Sequence, residues 1–171
     1  MKSKIQSSLM VLVLVLMGVS FVSAQPADEK AAEKAPPPPT CDGKTATIVG
    51  TDGNDVITGT DDDDVIVGLG GNDRISGKKG KDYICGGEGN DTIEGNKGPD
   101  KIYGDAGDDR IEGNRGLDIV YGGEGNDNLE GNEGEDFLDG GPGEDNLDGG
   151  DGVDKCLNAE TWKDCDGTGG S

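Results

Sequence analysis

Twelve aspartates recur every nine residues, and this spacing is the strongest chemical signal in the sequence. They are Asp55, Asp64, Asp73, Asp82, Asp91, Asp100, Asp109, Asp118, Asp127, Asp136, Asp145 and Asp154. A glycine lies five residues before each aspartate, and in eleven of the twelve repeats a second glycine lies two residues before it. Carboxylate and carbonyl oxygens are the ligands that hard divalent cations prefer. The spacing therefore predicts a repeated cation site.

One repeat offers a carboxylate and several glycine carbonyls, about half of the roughly six to eight oxygens that calcium takes. If two repeats make one coil, the turn two repeats later supplies the other half. The expected carbonyl ligands are Gly68, Gly86, Gly104 and Gly122, and five gaps on each side set an upper limit of ten sites. The alternative is that the aspartates only cap turns through local hydrogen bonds. Twelve like charges in two columns argue against that alternative.

The elements that position these aspartates follow from the rest of the repeat, numbered from its first glycine. Positions 1–6 predict a turn, in which glycine at positions 1 and 4 permits positive φ and close backbone approach. Positions 7–9 predict a three-residue strand in which only position 8 faces inward. Position 8 is apolar throughout: Ile57, Ile66, Ile75, Ile84, Ile93, Ile102, Ile111, Val120, Leu129, Leu138, Leu147 and Cys156.

The composition excludes several classes of protein. With 36 acidic and 15 basic residues the chain is a poor nucleic-acid binder, and with no histidine it lacks the usual imidazole base. Each repeat buries one aliphatic side chain, worth roughly 1.5–3 kcal/mol, against roughly 1–2 kcal/mol per residue for ordering the backbone. Cation binding must therefore supply folding free energy, and we expect the metal-free chain to be disordered.

Five segments are predicted along the chain. Lys2 and Lys4 precede an apolar run over residues 9–19 and the small-residue site Val22-Ser23-Ala24, a pattern typical of a cleaved signal peptide. A membrane anchor is the alternative, but the run is short for a bilayer span. The predicted segments are a signal peptide (1–24), a disordered Pro/Ala/Lys/Glu-rich tether (25–40), an N-terminal cap (41–49), the repeat domain (50–157), and a C-terminal cap with a flexible tail (158–171).

Fragments such as Gly86-Gly87-Glu88-Gly89-Asn90-Asp91 and Gly122-Gly123-Glu124-Gly125-Asn126-Asp127 carry a family resemblance. Residues 50–157 resemble the haemolysin-type calcium-binding (RTX) nonapeptide repeats, whose pattern is Gly-Gly-x-Gly-x-Asp-x-apolar-x. The resemblance implies calcium ions held between turns by aspartate side chains and backbone carbonyls. The predicted fold is all-β, a parallel β-roll or right-handed β-solenoid of twelve repeats with two repeats per coil.

The two sides of this roll differ in sequence. Side A is defined as the turns that begin at Gly50, Gly68, Gly86, Gly104, Gly122 and Gly140. Side B is defined as the turns that begin at Gly59, Gly77, Gly95, Gly113, Gly131 and Gly149. The side-B turns contain Lys78, Lys79, Lys81, Lys97 and Arg115. Cations beside a calcium column oppose binding unless they point to water, so we expect side B to bind more weakly.

The strands after the side-B turns carry an outward apolar set. Its members are Val65, Val67, Tyr83, Cys85, Tyr103, Ile119, Tyr121, Phe137 and Leu157. A contiguous apolar patch on so polar a chain predicts a contact surface. Candidate partners for the Tyr83/Tyr103/Tyr121 face are another protein, a second copy or a polysaccharide. The alternative is that the protein's own N-terminal segment covers this face.

Four cysteines allow three pairings. Cys156 and Cys165 flank a short loop, containing Trp162, that is predicted to plug the open end of the roll. A Cys41–Cys85 bond requires the segment before Gly50 to turn back across the apolar sheet. We favour these two pairings, with a free thiol at Cys85 as the alternative. The register places Ile48 at position 8 and Val49 at position 9 of an incomplete turn, in which Ala46 replaces the aspartate.

The sequence favours a secreted, extracellular, non-enzymatic protein that folds on binding Ca²⁺ and has a structural, surface or matrix role. It contains neither a Gly-x-Ser-x-Gly nor a His-Glu-x-x-His motif. Calcium ions are the expected cofactor and ligand, with neither nucleic-acid binding nor membrane insertion. Two alternatives stay open: an adhesive or carbohydrate-binding module that uses the aromatic face, and an accessory module of a haemolysin-like toxin.

Overall fold

A computed structural model describes residues 36–169. The predicted signal peptide (1–24) and most of the predicted tether (25–35) lie outside the described residues. Within residues 36–169 the chain forms seventeen strands and no helix, so no helix of this part of the chain could cross a membrane.

An antiparallel hairpin precedes two parallel sheets. The hairpin pairs β1 (Thr40–Cys41) with β2 (Lys44–Thr45). The first sheet, here called the aromatic sheet, contains β3 (Ile48–Val49), β5 (Val65–Gly70), β7 (Tyr83–Glu88), β9 (Lys101–Ala106), β11 (Ile119–Glu124), β13 (Phe137–Asp139), β15 (Lys155–Leu157) and β17 (Gly167–Gly169). The second, the polar sheet, contains β4 (Val56–Thr58), β6 (Arg74–Lys79), β8 (Thr92–Lys97), β10 (Arg110–Arg115), β12 (Asn128–Glu133), β14 (Asn146–Asp151) and β16 (Thr161–Lys163).

Consecutive strands alternate between the two sheets, so two repeats make one coil. Each repeat strand pairs in parallel with the strand two repeats further on, as Ile66 does with Ile84 and Ile75 with Ile93. The predicted parallel β-solenoid of the β-roll type is confirmed.

The core between the sheets is a double file of position-8 side chains. All twelve predicted members are buried, from Ile57 at 8% exposure to Ile66 and most others at 0%. Because the register is constant, each side chain stacks on the identical position of the next coil. The prediction that position 8 alone faces inward is confirmed for the repeats.

The strands are longer than the three residues predicted. Most run for six residues, because pairing continues through position 1 into positions 2 and 3 of the next repeat, as in Leu69 with Gly87 and Gly70 with Glu88. The glycine at position 1 therefore lies inside a strand, and the turn is shorter than predicted.

The prediction of positive φ at position 1 was wrong. Positive φ occurs at position 2 in ten repeats, including Leu69 (85°), Asn96 (82°) and Asp105 (76°). It also occurs at position 4 in six repeats, as at Gly89 (116°). Position 2 is a kink inside the six-residue strand, and asparagine, aspartate and glycine tolerate this conformation best.

The N-terminal hairpin lies across the aromatic sheet. Cys41 is fully buried and forms a disulfide with Cys85, and Asp42 forms an ion pair of 2.9 Å with Lys101. After the hairpin, Ile48 pairs with Ile66 and Val49 with Val67, which confirms the register predicted for these residues. The second favoured disulfide, Cys156–Cys165, is also present.

Aromatic rings contact one another along the aromatic sheet. Tyr103 and Tyr121 are parallel with centroids 5.0 Å apart, and Phe137 follows Tyr121 at 5.8 Å. Lys44 lies over the Tyr83 ring at 4.4 Å. The apolar residues predicted to share a face therefore do so, and the hairpin covers part of that face.

Two strands extend the sheets beyond the last repeat. β16 pairs with β14 and β17 with β15. Trp162 stands in register with Leu147, but 51% of its surface is exposed. Ala159 and Cys165 of the same loop pack against the end of the core, in agreement with the predicted plug.

Candidate metal centre

The position-6 aspartates form two columns, one on each side of the roll. The side-A column contains Asp55, Asp73, Asp91, Asp109, Asp127 and Asp145, and the side-B column contains Asp64, Asp82, Asp100, Asp118, Asp136 and Asp154. All of them except Asp55 are buried, and the most exposed of these eleven is Asp64 at 6%. Each column follows from the register, because identical positions two repeats apart lie on adjacent coils.

One oxygen of each interior carboxylate belongs to a hydrogen-bond ladder. The backbone N–H of each aspartate donates to Oδ1 of the next aspartate in its column, at 2.7–2.9 Å in all ten cases. These bonds join adjacent coils, 18 residues apart, so they differ from the local turn capping considered as the alternative to metal binding. They occupy only half of each carboxylate.

The other oxygen, Oδ2, is buried without a hydrogen-bond partner in ten aspartates. These are Asp73, Asp82, Asp91, Asp100, Asp109, Asp118, Asp127, Asp136, Asp145 and Asp154, five on each side. A buried acceptor without a partner costs free energy, and a charged acceptor costs more. Ten such atoms in register are suited to a ligand of positive charge.

The position-1 glycines lie against these oxygens and against the next coil. A Cβ added to Gly95 would lie 2.6 Å from Asp100 Oδ2 and 2.9 Å from the Gly113 carbonyl oxygen. The predicted carbonyls of Gly68, Gly86, Gly104 and Gly122 approach the preceding position-1 glycine of their column in the same way. Glycine is therefore required at position 1 for close approach, which brings a carboxylate and a carbonyl oxygen to the same space.

The first aspartate of each column differs from the rest. Thr51 donates to Asp55 Oδ2 from its backbone N–H (2.6 Å) and from its hydroxyl (2.9 Å). Thr60 donates to Asp64 Oδ2 in the same manner, at 2.7 and 2.9 Å. These two threonines close the N-terminal end of each column. The sequence signal was present, since threonine occupies position 2 in the first two repeats alone.

Burial raises the pKa of the interior carboxylates. The pKa of Asp100, Asp109 and Asp118 rises to about 7, chiefly by desolvation and further by neighbouring aspartates, against the opposing backbone hydrogen bond. Asp82 and Asp91 reach a pKa of about 6 for the same first cause. Burial therefore destabilises the ionised form of these carboxylates unless a cation binds beside them.

A second ladder distinguishes side A. Position 5 there is Asn54, Asn72, Asn90, Asp108, Asn126 and Glu144. From Asn54 to Asn126, each side-chain Oδ1 accepts the backbone N–H of position 5 in the following turn, at 2.8–3.1 Å. On side B this position includes Pro99, Leu117 and Val153, which cannot continue such a ladder. The position-5 ladder was missed in the sequence, although its asparagines are visible there.

Two of the five cations of the side-B turns pair with exposed acids. Lys79 Nζ lies 2.6 Å from Asp61, and Arg115 Nε lies 3.0 Å from Glu133. All four side chains are more than half exposed. Both cations are therefore directed away from the buried column, and their opposition to a bound cation is screened by solvent.

The residues present fit calcium. Within residues 36–169 no three acidic or cysteine side chains converge on one point, so backbone carbonyls and water would have to complete any coordination shell. Unpartnered carboxylate oxygens beside glycine carbonyls are a hard, all-oxygen donor set, which calcium prefers and soft metals do not.

The comparison with protein families agrees with this geometry. The chain matches the family model described as RTX calcium-binding nonapeptide repeat (4 copies) over residues 49–84, 86–120 and 121–156. These segments make up more than half of the chain, and the protein belongs to this family of calcium-binding repeats. No curated protein matches the chain.

Proposed function

We propose that this protein is a secreted, non-enzymatic β-roll that folds when Ca²⁺ binds between its stacked turns, and that it serves as a structural component of a surface or matrix. The observation that carries the proposal is the set of ten buried Oδ2 atoms without partners. The other oxygen of each of these carboxylates is already satisfied by the Oδ1 ladder. A cation between the turns would satisfy the remaining oxygens.

The proposed ligands are the position-6 carboxylates and the carbonyls of glycines such as Gly68, Gly86, Gly104 and Gly122. Bound calcium supplies the charge compensation that lets the columns stay ionised while buried. The chain's own contribution is to hold Oδ1 in the ladder of the folded roll, which orients Oδ2 toward the space between the turns. The glycines keep the space beside Oδ2 free of side chains.

Export is supported by the two disulfides, since such bonds persist in oxidising compartments. A non-catalytic role is supported by the repeats themselves, whose buried carboxylates are committed to the ladder and to the proposed ions. The stacking of Tyr103 on Tyr121 argues against a sugar-binding role for the aromatic sheet, because the ring faces contact each other.

Circular dichroism of residues 25–171 with both disulfides intact tests the proposal. Millimolar calcium should convert a largely disordered spectrum in chelator into one of β-sheet, and calorimetry should then count several ions per chain, of which at most ten lie between repeat turns. Magnesium should substitute poorly, because it demands octahedral geometry and releases its waters reluctantly. Identical spectra in chelator and in calcium would refute the proposal.

A further inference from the structure

The side-A column does not end at its last repeat aspartate. The backbone N–H of Asp145 donates to Glu160 Oε2 at 2.7 Å, which is the bond that the next aspartate would accept in a regular coil. Glu160 is closer along the chain to Asp145 than two full repeats would place it. Its extra methylene and the shorter loop together place a carboxylate at the ladder position.

A carbonyl also takes the place of the next position-1 glycine. In the repeats, the carbonyl of that glycine approaches the glycine one coil earlier, beside Oδ2. At the end of side A, the Asn158 carbonyl approaches Gly140, and a Cβ added to Gly140 would lie 2.5 Å from Asp145 Oδ2. The loop held by the Cys156–Cys165 disulfide thus reproduces both oxygen donors of a repeat turn.

The decisive atom is Asp145 Oδ2. Asp145 is 1% exposed, its Oδ1 accepts from Asp127 N–H, and its Oδ2 has no partner. An unpartnered carboxylate oxygen at this depth, next to a second carboxylate and a carbonyl, requires a positive ligand as the interior ones do. We infer that Asp145, Glu160 and the Asn158 carbonyl form a terminal calcium site outside the nonapeptide repeats. This inference rests on the proposed calcium binding between turns.

The C-terminal end of side B is built differently. There the Asp164 carbonyl approaches Gly149, and the Asp166 N–H donates to the Asp154 carbonyl at 2.8 Å. Within residues 36–169 no side chain accepts the backbone N–H of Asp154, so the ladder is not continued by a carboxylate on this side. Asp154 Oδ2 is also unpartnered and lies beside the Asp164 carbonyl, so the feature that distinguishes the end of side A is the second carboxylate, that of Glu160.

The Glu160→Gln variant tests whether Glu160 binds calcium or only accepts the Asp145 N–H as a structural cap. The amide oxygen still accepts the Asp145 N–H, while the negative charge and the second carboxylate oxygen are lost. Glu144→Gln is the matched control, since it removes one charge from the preceding turn at an exposed side chain that is not a proposed ligand. Calcium counted by calorimetry should fall by one ion per chain in Glu160→Gln and stay at the wild-type value in Glu144→Gln.

Trp162, the only tryptophan of the chain, lies two residues beyond Glu160 and supplies a second measurement. Terbium, a luminescent substitute for calcium, should emit when the tryptophan is excited at the red edge of its absorption, where tyrosine does not absorb. The emission should drop at least severalfold in Glu160→Gln and persist in Glu144→Gln.

An unchanged ion count in Glu160→Gln would overturn the terminal site. So would the absence of tryptophan-sensitised terbium emission from the wild-type protein, a result that requires no variant to fold. Failure of the proposed function looks different: wild-type protein would bind no calcium and keep its spectrum in chelator. The two hypotheses can therefore fail separately.

Discussion

At the scale of single residues, the two oxygens of each position-6 carboxylate have different tasks. Oδ1 joins adjacent coils through a backbone N–H, and Oδ2 is left beside a glycine and a carbonyl. This division, which holds for the ten aspartates from Asp73 to Asp154, explains why these positions are aspartate although asparagine could also have accepted the ladder bond. The ladder needs an acceptor, whereas the proposed ion needs the charge.

Gly95→Ala tests the close approach at position 1. The added methyl would meet Asp100 Oδ2 and the Gly113 carbonyl. We therefore expect the free energy of unfolding in calcium to fall by roughly 1–3 kcal/mol and the calcium concentration at the folding midpoint to rise. Gly53→Ala is the control, because its nearest contact would be Thr51 Oγ1 at 4.0 Å. Thermal unfolding in saturating calcium compares the two; equal melting temperatures would contradict this account of position 1.

The raised carboxylate pKa values predict how the calcium-free chain responds to pH. Because the folded-state pKa of Asp100, Asp109 and Asp118 is about 7, the folded chain binds more protons than the unfolded chain. This stabilising contribution is complete below about pH 4 and is lost as the pH rises through about 6 to 7. In chelator, β-structure should therefore increase on acidification from about pH 7.5 to about pH 5.

Acid should weaken calcium binding, since protons and calcium compete for the same carboxylate oxygens. The calcium midpoint should rise as the pH falls over the same range. Asp100→Asn/Asp118→Asn removes two of the titrating groups and should weaken the acid response in chelator. A spectrum in chelator that does not change between the two pH values would show that burial does not raise the pKa of these carboxylates.

At the scale of elements, the strands and the core were predictable, and the bends were less so. The nine-residue period determines which residue faces inward, and the parallel register follows from it. The period does not show where a strand stops, because pairing through Gly68 into Leu69 depends on contact with the next coil. The role of Glu160 could not be predicted from the period either, because it depends on a loop shorter than two repeats.

The position-5 ladder makes side A the more regular stack, and side A is expected to bind calcium more tightly. Asp109→Asn and Asp118→Asn form a matched pair, since both aspartates are buried interior members of their columns. We expect Asp109→Asn to raise the calcium midpoint by roughly tenfold, or about 1.4 kcal/mol, and Asp118→Asn to raise it less. A calcium titration monitored by circular dichroism gives the midpoint of each variant. An equal or larger shift in Asp118→Asn would reject the asymmetry between the two sides.

At the scale of the whole molecule, the disulfides restrain the two ends. Cys41–Cys85 has a sequence separation of 44 and Cys156–Cys165 one of 9. In the loop-entropy view the first should contribute roughly 4 kcal/mol and the second roughly 2.6 kcal/mol. We therefore expect Cys41→Ser/Cys85→Ser to lower the melting temperature in saturating calcium more than Cys156→Ser/Cys165→Ser does. The opposite order would show that the C-terminal loop, rather than chain entropy, limits stability.

The constant offset of two repeats between paired strands limits how such a chain can change in length. Losing a whole coil, for instance residues 86–103, would join Cys85 to Gly104 and leave every later residue on its own sheet. Losing a single repeat would exchange the sheets for everything downstream, so that Tyr121 and Phe137 would join the polar sheet and the acidic residues Glu112 and Glu130 the aromatic one. Gene duplications and deletions in this protein should therefore be tolerated in pairs of repeats, and odd numbers should be selected against.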